Sequence, residues 1–271
     1  MGQEKQSQSK VIETRNIDIE AVKKLEENHN IIFKPNDGPQ TDFLAASERE
    51  VLYGGSAGGG KSYAMLADPL RYMGHPAFSG LLLRHTTEEL RELIFKSQEM
   101  YPKIWPGIKW SERKMQWTAP SGARLWMSYL DREDDVLRYQ GLAFSWIGFD
   151  ELTQWATPYA WNYMRSRLRS TAPDLPIFMR ATTNPGGRGH NWVKKMFIDP
   201  AVPNVTFDAT DIETGEILKY PEGHEKAGIT LFKRRFIPAR LKDNPYLAKQ
   251  GDYEAMLLSL PEQQRRQLLD G

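Results

Sequence analysis

The stretch that most constrains this chain is Gly55-Ser56-Ala57-Gly58-Gly59-Gly60-Lys61-Ser62, which satisfies the P-loop pattern. Its flanks suit it: residues 51–53 read as a buried strand and 63–67 as the first turns of a helix. Glycines let backbone N–H groups turn inward around phosphate oxygens, where a side chain would clash or forbid the dihedrals. The helix N-terminus adds its dipole and free donors. In such a loop Lys61 reaches the β- and γ-phosphates and the Ser62 hydroxyl holds Mg²⁺. A flexible glycine linker would not follow a hydrophobic strand and run at once into Lys-Ser.

The second signal is Ser145-Trp146-Ile147-Gly148-Phe149-Asp150-Glu151, an apolar strand that ends in two carboxylates. Alone an Asp-Glu pair says little. Downstream of a P-loop, at a strand's carboxyl end, it is the partner the loop needs: Asp150 for the Mg²⁺ shell, Glu151 to polarise the attacking water. Ligands of open α/β sheets bind at that edge. A third strand at 177–179 leads into Ala181-Thr182-Thr183-Asn184-Pro185-Gly186-Gly187. Thr182, Thr183 and Asn184 could sense the γ-phosphate there, or belong to an ordinary Asn-Pro-Gly turn. Gln40, ahead of the loop, could read the N6 amine and N7 of adenine through its amide, or be a surface residue near a turn.

The remaining chain supplies the frame. Hydrophobic residues make up 40%, ample for a core, and no run approaches the ~20 apolar residues of a membrane span. Cysteine is absent, which excludes disulfides and thiolate metal sites, and the net charge of +1 means that any nucleic-acid contact must be local. Residues 1–15 read as a solvated tail and 17–28 as an amphipathic helix through Ile19, Val22 and Leu25. A strand is expected at 80–84. A Thr86–Glu89 capping box then opens a helix to about residue 100, with Leu90, Leu93, Ile94 and Phe95 as its stripe. A hairpin is expected from 114–118 and 123–128, its neighbouring tryptophans serving as packing, then a short exposed helix at 131–138. Further helices are expected after Thr157-Pro158, at 191–198, at 245–258 and at 261–269, with a strand at 230–237.

Strands alternating with helices imply an α/β fold, a mostly parallel sheet with helices on both faces, and the motif set marks an additional-strand (ASCE) P-loop NTPase. No Asn-Lys-x-Asp element for guanine is present. The expected division is a polar N-terminal tail and helix at 1–29, an ATPase core at 30–200, and a small C-terminal lid/linker subdomain at 201–271.

The ordered set resembles the N-terminal ATPase domain of tailed-bacteriophage large terminase subunits, from about residue 30 to 271. Its carriers are Gly38-Pro39-Gln40, the P-loop, Arg138-Tyr139-Gln140-Gly141, Ile147-Gly148-Phe149-Asp150-Glu151 and Thr182-Thr183-Asn184-Pro185. Phe236-Ile237-Pro238-Ala239, Asp243-Asn244-Pro245-Tyr246-Leu247 and Leu258-Ser259-Leu260-Pro261-Glu262 are similar to the segment that closes that domain. The resemblance implies an ATP- and Mg²⁺-dependent motor that drives double-stranded DNA into a procapsid. It implies Gln40 as the adenine reader, Glu151 as the catalytic carboxylate and Thr182–Asn184 as the coupling motif. Implied partners are DNA, the portal protein, the small terminase subunit and further copies in a ring of five. The implied setting is the host cytoplasm, outside the mature virion and away from membranes, and nuclease activity is expected only in a following C-terminal domain that this chain lacks. Some members carry arginine inside the P-loop or directly before the glycine equivalent to Gly141; here those places hold Ser56 to Gly59 and Gln140. Arg138 is therefore the candidate arginine finger acting in trans, unless it pairs with Asp134 or Asp135; Arg84, Arg165, Arg167 and Arg169 are the other contenders.

Competing readings are a small-molecule or nucleotide kinase, whose loop style Gly55-x-x-Gly58-x-Gly60-Lys61 also fits, a nucleotide-gated scaffold, and a helicase of related core. A kinase would need a bound acceptor and no water-activating Glu151.

Overall fold

Strand β1 (Glu50–Gly55) is apolar at three successive positions, so both of its faces need cover. In the computed structural model, which describes residues 33–249 and 251–270, both faces have it. Val51 and Tyr53 pack with Phe43 of α1 (Pro39–Ala45) and Ala64 of α2 (Lys61–Ala67). Leu52 packs on the opposite side in a larger cluster with Trp155, and with Trp161 and Met164 of α4 (Tyr159–Arg165). Burial on both faces is the mark of a parallel sheet between two helical layers. The tail and the helix expected at 17–28 lie outside the described residues.

The sheet has nine strands in the order β3-β4-β5-β2-β6-β7-β1-β9-β8. Its parallel centre is β5 (Arg124–Tyr129), β2 (Ser79–Arg84), β6 (Trp146–Phe149), β7 (Phe178–Thr183), β1 and β9 (Lys233–Ala239). Antiparallel strands close both edges: β3 (Lys109–Ser111) with β4 (Gln116–Thr118) at one, and β8 (Thr206–Asp208) at the other. One strand, β7, separates the P-loop strand β1 from β6, whose end carries Asp150. This is the additional-strand arrangement expected from the motifs. The segment set apart at 201–271 contributes β8 and β9 to this same sheet, and residues 35–271 form one compact unit.

Local chemistry explains the element ends. Thr86 Oγ1 accepts the Glu89 N–H at 3.3 Å and starts α3 (Thr87–Ile104), but the Glu89 carboxylate accepts from Gln154 instead of closing the box. The stripe of α3 buries Leu90, Leu93 and Ile94, whereas Phe95 is 63% exposed, one step around the helix from the sheet. The hairpin forms as expected, with Trp117 buried and its ring 5.3 Å from that of Trp110. The segment at 131–138 is a 3₁₀ helix over Glu133–Tyr139 that buries Val136 and Tyr139. The helix expected at 191–198 is α5 (His190–Val193) with a π turn at Lys194–Ile198. The helix expected at 245–258 is split into α6 (Pro245–Ala248) and α7 (Asp252–Leu258), because Gly251 adopts φ 67°. Ser259 does not cap the next helix: its hydroxyl donates to the Met256 carbonyl, and α8 (Glu262–Arg265) passes into a π turn at Arg266–Asp270.

One buried ionic knot ties the β1–β9 pair to α4. Glu50, fully buried, meets Arg165 Nε at 2.5 Å and Arg234 Nε at 2.7 Å. Burial pushes the Glu50 carboxyl up, but the two guanidiniums more than offset it, so its pKa lies below the ordinary value. Glu50→Gln should therefore cost about 3–5 kcal/mol at neutral pH, the usual result of breaking a buried pair from one side. Because the folded-state pKa is depressed, this contribution is present above the unfolded-state pKa and lost as pH falls through the folded value. The deficit, measured by urea unfolding, should shrink in acid. A neutral-pH loss below about 1 kcal/mol, the level of an exposed pair, would show that the knot is not holding the sheet to α4.

Candidate nucleotide site

The P-loop is held open by its own carbonyls. Tyr53 Oη donates to Gly59 O at 2.8 Å, Gln40 Nε2 to Gly60 O at 2.9 Å, and Asn244 Nδ2 to Gly58 O at 2.7 Å. Across a planar trans peptide the C=O and the next N–H point in opposite directions. Tying carbonyls 58, 59 and 60 outward thus turns the N–H groups of Gly59, Gly60 and Lys61 toward the cradle. Gly55 lets β1 pass against β9: it adopts φ 139°, and a Cβ there would lie 2.1 Å from Ala239 O. The next residue uses that contact, since Ser56 N–H donates to Ala239 O at 2.8 Å and Ser56 Oγ accepts the Leu241 N–H at 2.7 Å. Lys61 Nζ spans the loop to Ser56 O at 2.5 Å. Ser62 follows in the first turn of α2.

Opposite the loop, β6 and β7 deliver the polar groups. Asp150, 1% exposed, accepts a short hydrogen bond from Thr182 Oγ1 through Oδ1, and Arg84 Nε lies 3.1 Å from its Oδ2. Glu151 adopts the left-handed conformation, φ 60°. Its carboxylate accepts from both Asn184 N and Asn184 Nδ2 at 2.9 Å, and its own N–H donates to Thr182 Oγ1. Thr183 Oγ1 pairs with Thr153 Oγ1 at 2.8 Å, fixing the turn after Glu151. Thr182 and Thr183, expected at the strand's tip, are the last two residues of β7.

Charge is balanced within the cluster. Burial pushes the Glu151 carboxyl above its usual range, and the Asp150 charge pushes it further. Lys61, the Asn184 N–H and Arg84 pull it back. Burial lowers the Lys61 pKa, against the pull of Glu151 and Asp150. The donor set fits a hard cation: Asp150 Oδ2 is buried without a hydrogen-bond donor, and the Ser62 hydroxyl belongs to the facing loop. Such a site can hold a polyphosphate with its metal and present a carboxylate to water.

Not every expected residue joins it. Gln40 is buried with its amide on the loop, since Oε1 accepts the Asn36 N–H at 2.6 Å while Nε2 holds Gly60. Arg138 is half-exposed and tied to its own chain, with Nη2 on Tyr129 O at 2.7 Å and 3.5 Å from the Asp135 carboxylate. Arg165 is committed to Glu50, and Arg167 lies over the Tyr163 ring. Ala57 N–H, also in the loop, donates to Leu268 O at 2.7 Å. Tyr53, Asn244 and Leu268 were missed as site residues, because a tyrosine in an apolar strand and groups far along the chain carry no local signal.

A family model described as phage terminase large subunit matches residues 47–250. A search of the curated proteins finds no match. The structure is similar to the large terminase of a thermophilic bacteriophage in complex with ADP: TM-score 0.59, 16% identity, 88% of this chain and 53% of that one. The same protein in complex with ATP-gamma-S gives 0.57 and 14%, over 88% of this chain and 52% of that one. The Thermus phage P74-26 large terminase ATPase domain gives 0.55 and 14%, over 88% and 93%. At such identities the likeness is one of fold, and the chain spans about half the length of the first of these terminases. The fold is that of the terminase ATPase domains, and on the family match the chain belongs to the phage terminase large subunit family.

Proposed function

We propose that this chain is an ATP-hydrolysing motor domain that drives double-stranded DNA into a procapsid. The observation that carries the reading is Glu151, a partly buried carboxylate clasped by Asn184 at the strand edge that faces the P-loop. A kinase transfers phosphate to a bound acceptor and does not need a carboxylate to activate water. In this reading the N–H groups of the loop and Lys61 bind the phosphates, and Gln40 braces the loop through both ends of its amide. Mg²⁺, held by Ser62 and Asp150, would neutralise charge on the β- and γ-phosphates. Glu151 orients the attacking water and takes up its proton. Thr182 touches Asp150 and the Glu151 N–H, and Asn184 touches the Glu151 carboxylate, so the β7 end senses both carboxylates and can pass the hydrolysed state on to DNA. Arg138, paired with Asp135 and the Tyr129 carbonyl, would have to leave both to serve a neighbouring copy in the ring.

In the nucleotide assays Glu151→Gln should bind ATP nearly as the parent does yet hydrolyse it ~10²–10⁴-fold more slowly, the usual cost of a lost general base. Lys61→Ala should lose affinity as well. Wild-type turnover by Glu151→Gln, or phosphate appearing only on an added acceptor, would defeat the motor reading.

In this reading a phosphate that takes up the Ala57 N–H displaces the Leu268 carbonyl from it. Amide hydrogen exchange over residues 266–270 should therefore speed up on adding ATP-γ-S. Unchanged or slower exchange there, with nucleotide shown to be bound, would mean that the C-terminal turn and the phosphates occupy different places.

A further inference from the structure

Arg84 ends β2 at the carboxyl edge of the sheet, beside β6, and its side chain is 11% exposed. It touches Asp150 through one corner only, Nε to Oδ2 at 3.1 Å. That contact lacks hydrogen-bond alignment, and Nε and Nη1 are both out of solvent without an acceptor. A guanidinium placed merely to neutralise a carboxylate usually engages it as a two-pronged fork, which satisfies two donors at once. Buried donors left idle are costly.

The surroundings say which ligand. The P-loop carries no arginine, so Lys61 is its single side-chain cation. The strand ends of β1 and β6 are two strand spacings apart, roughly 10 Å, a gap that a metal-bound triphosphate spans. A terminal phosphoryl group resting on the loop and pointing toward Asp150 would come within reach of the guanidinium beside that carboxylate.

We propose that Arg84 is a γ-phosphate ligand supplied in cis, its Nη1 donating to a terminal phosphate oxygen while Nε stays beside Asp150. The proposal rests on the ATP-site reading above and adds a guanidinium to it from the chain's own second strand. It also removes Arg84 from the contenders for a finger in trans, since a side chain this buried cannot reach a neighbouring copy.

The test compares dissociation constants for ADP and ATP-γ-S, with and without Mg²⁺, in the parent chain, Arg84→Gln and Arg84→Lys. Losing a charge-assisted contact to the γ-phosphate should weaken ATP-γ-S by about 10- to 100-fold, a loss at least about tenfold greater than that of ADP, which has no γ-phosphate. Lysine, which keeps the charge without the fork, should fall between. Equal losses for both nucleotides, or none, would reduce Arg84 to a neutraliser of Asp150 and overturn the proposal. Thermal unfolding reports whether each variant folds; if glutamine does not, the lysine variant carries the comparison by the same criterion. A parent chain that binds neither nucleotide would bring down the ATP-site reading itself, and the Arg84 assignment with it.

Discussion

Three outward-tied carbonyls set the shape on which the rest of the site depends. A glycine-rich loop left to itself loses much conformational entropy when it closes on a phosphate. Here Tyr53, Gln40 and Asn244 hold the carbonyls of Gly59, Gly60 and Gly58, and Ala239 holds the Ser56 N–H. Ordering is done by folding, so binding need not repeat it. The braces come from α1, from β1 itself, and from the segment around β9 and α6. That distribution makes the parallel placement of β9 beside β1 a requirement for the loop as much as for the sheet.

The second dependence is electrostatic. Lys61 and Arg84 face Asp150 and Glu151 in a buried cluster, and each charge would be untenable alone. Glu151 also carries backbone strain: a left-handed φ in a residue with a Cβ costs about 1–2 kcal/mol. Asn184 and the hydroxyl pair Thr153–Thr183 over-determine that conformation. Strain held by groups on the neighbouring strand gives β7 a physical means of biasing Glu151, which suits a residue whose reactivity must follow the state of the site.

The sequence disclosed most where chemistry is local. The P-loop, the Asp150-Glu151 strand end and the Thr182–Asn184 tip are contiguous signals, and the structure brings their side chains to one sheet edge. Strand and helix identities in the parallel core were legible for the same reason, since period and burial agree there. The hidden part depends on pairing across long sequence separations. The short edge strands β3 and β8 have too few residues to show a pattern. Asn244 and Leu268 reach the loop from far along the chain, so nothing near them betrays it. Arg84 was legible as an arginine after an apolar strand; only the parallel register of β2 with β6 shows that it meets Asp150. The break at Gly251 was masked by helix-forming neighbours on both sides.

The central claim is that this edge directs a γ-phosphoryl group to water. It is tested most directly by ATP turnover in ¹⁸O-labelled water with Mg²⁺ and double-stranded DNA. The account predicts DNA-stimulated release of inorganic phosphate that carries an oxygen from the labelled water. Absence of phosphate release, or transfer of the phosphoryl group to another acceptor with no solvent oxygen incorporated, would contradict it.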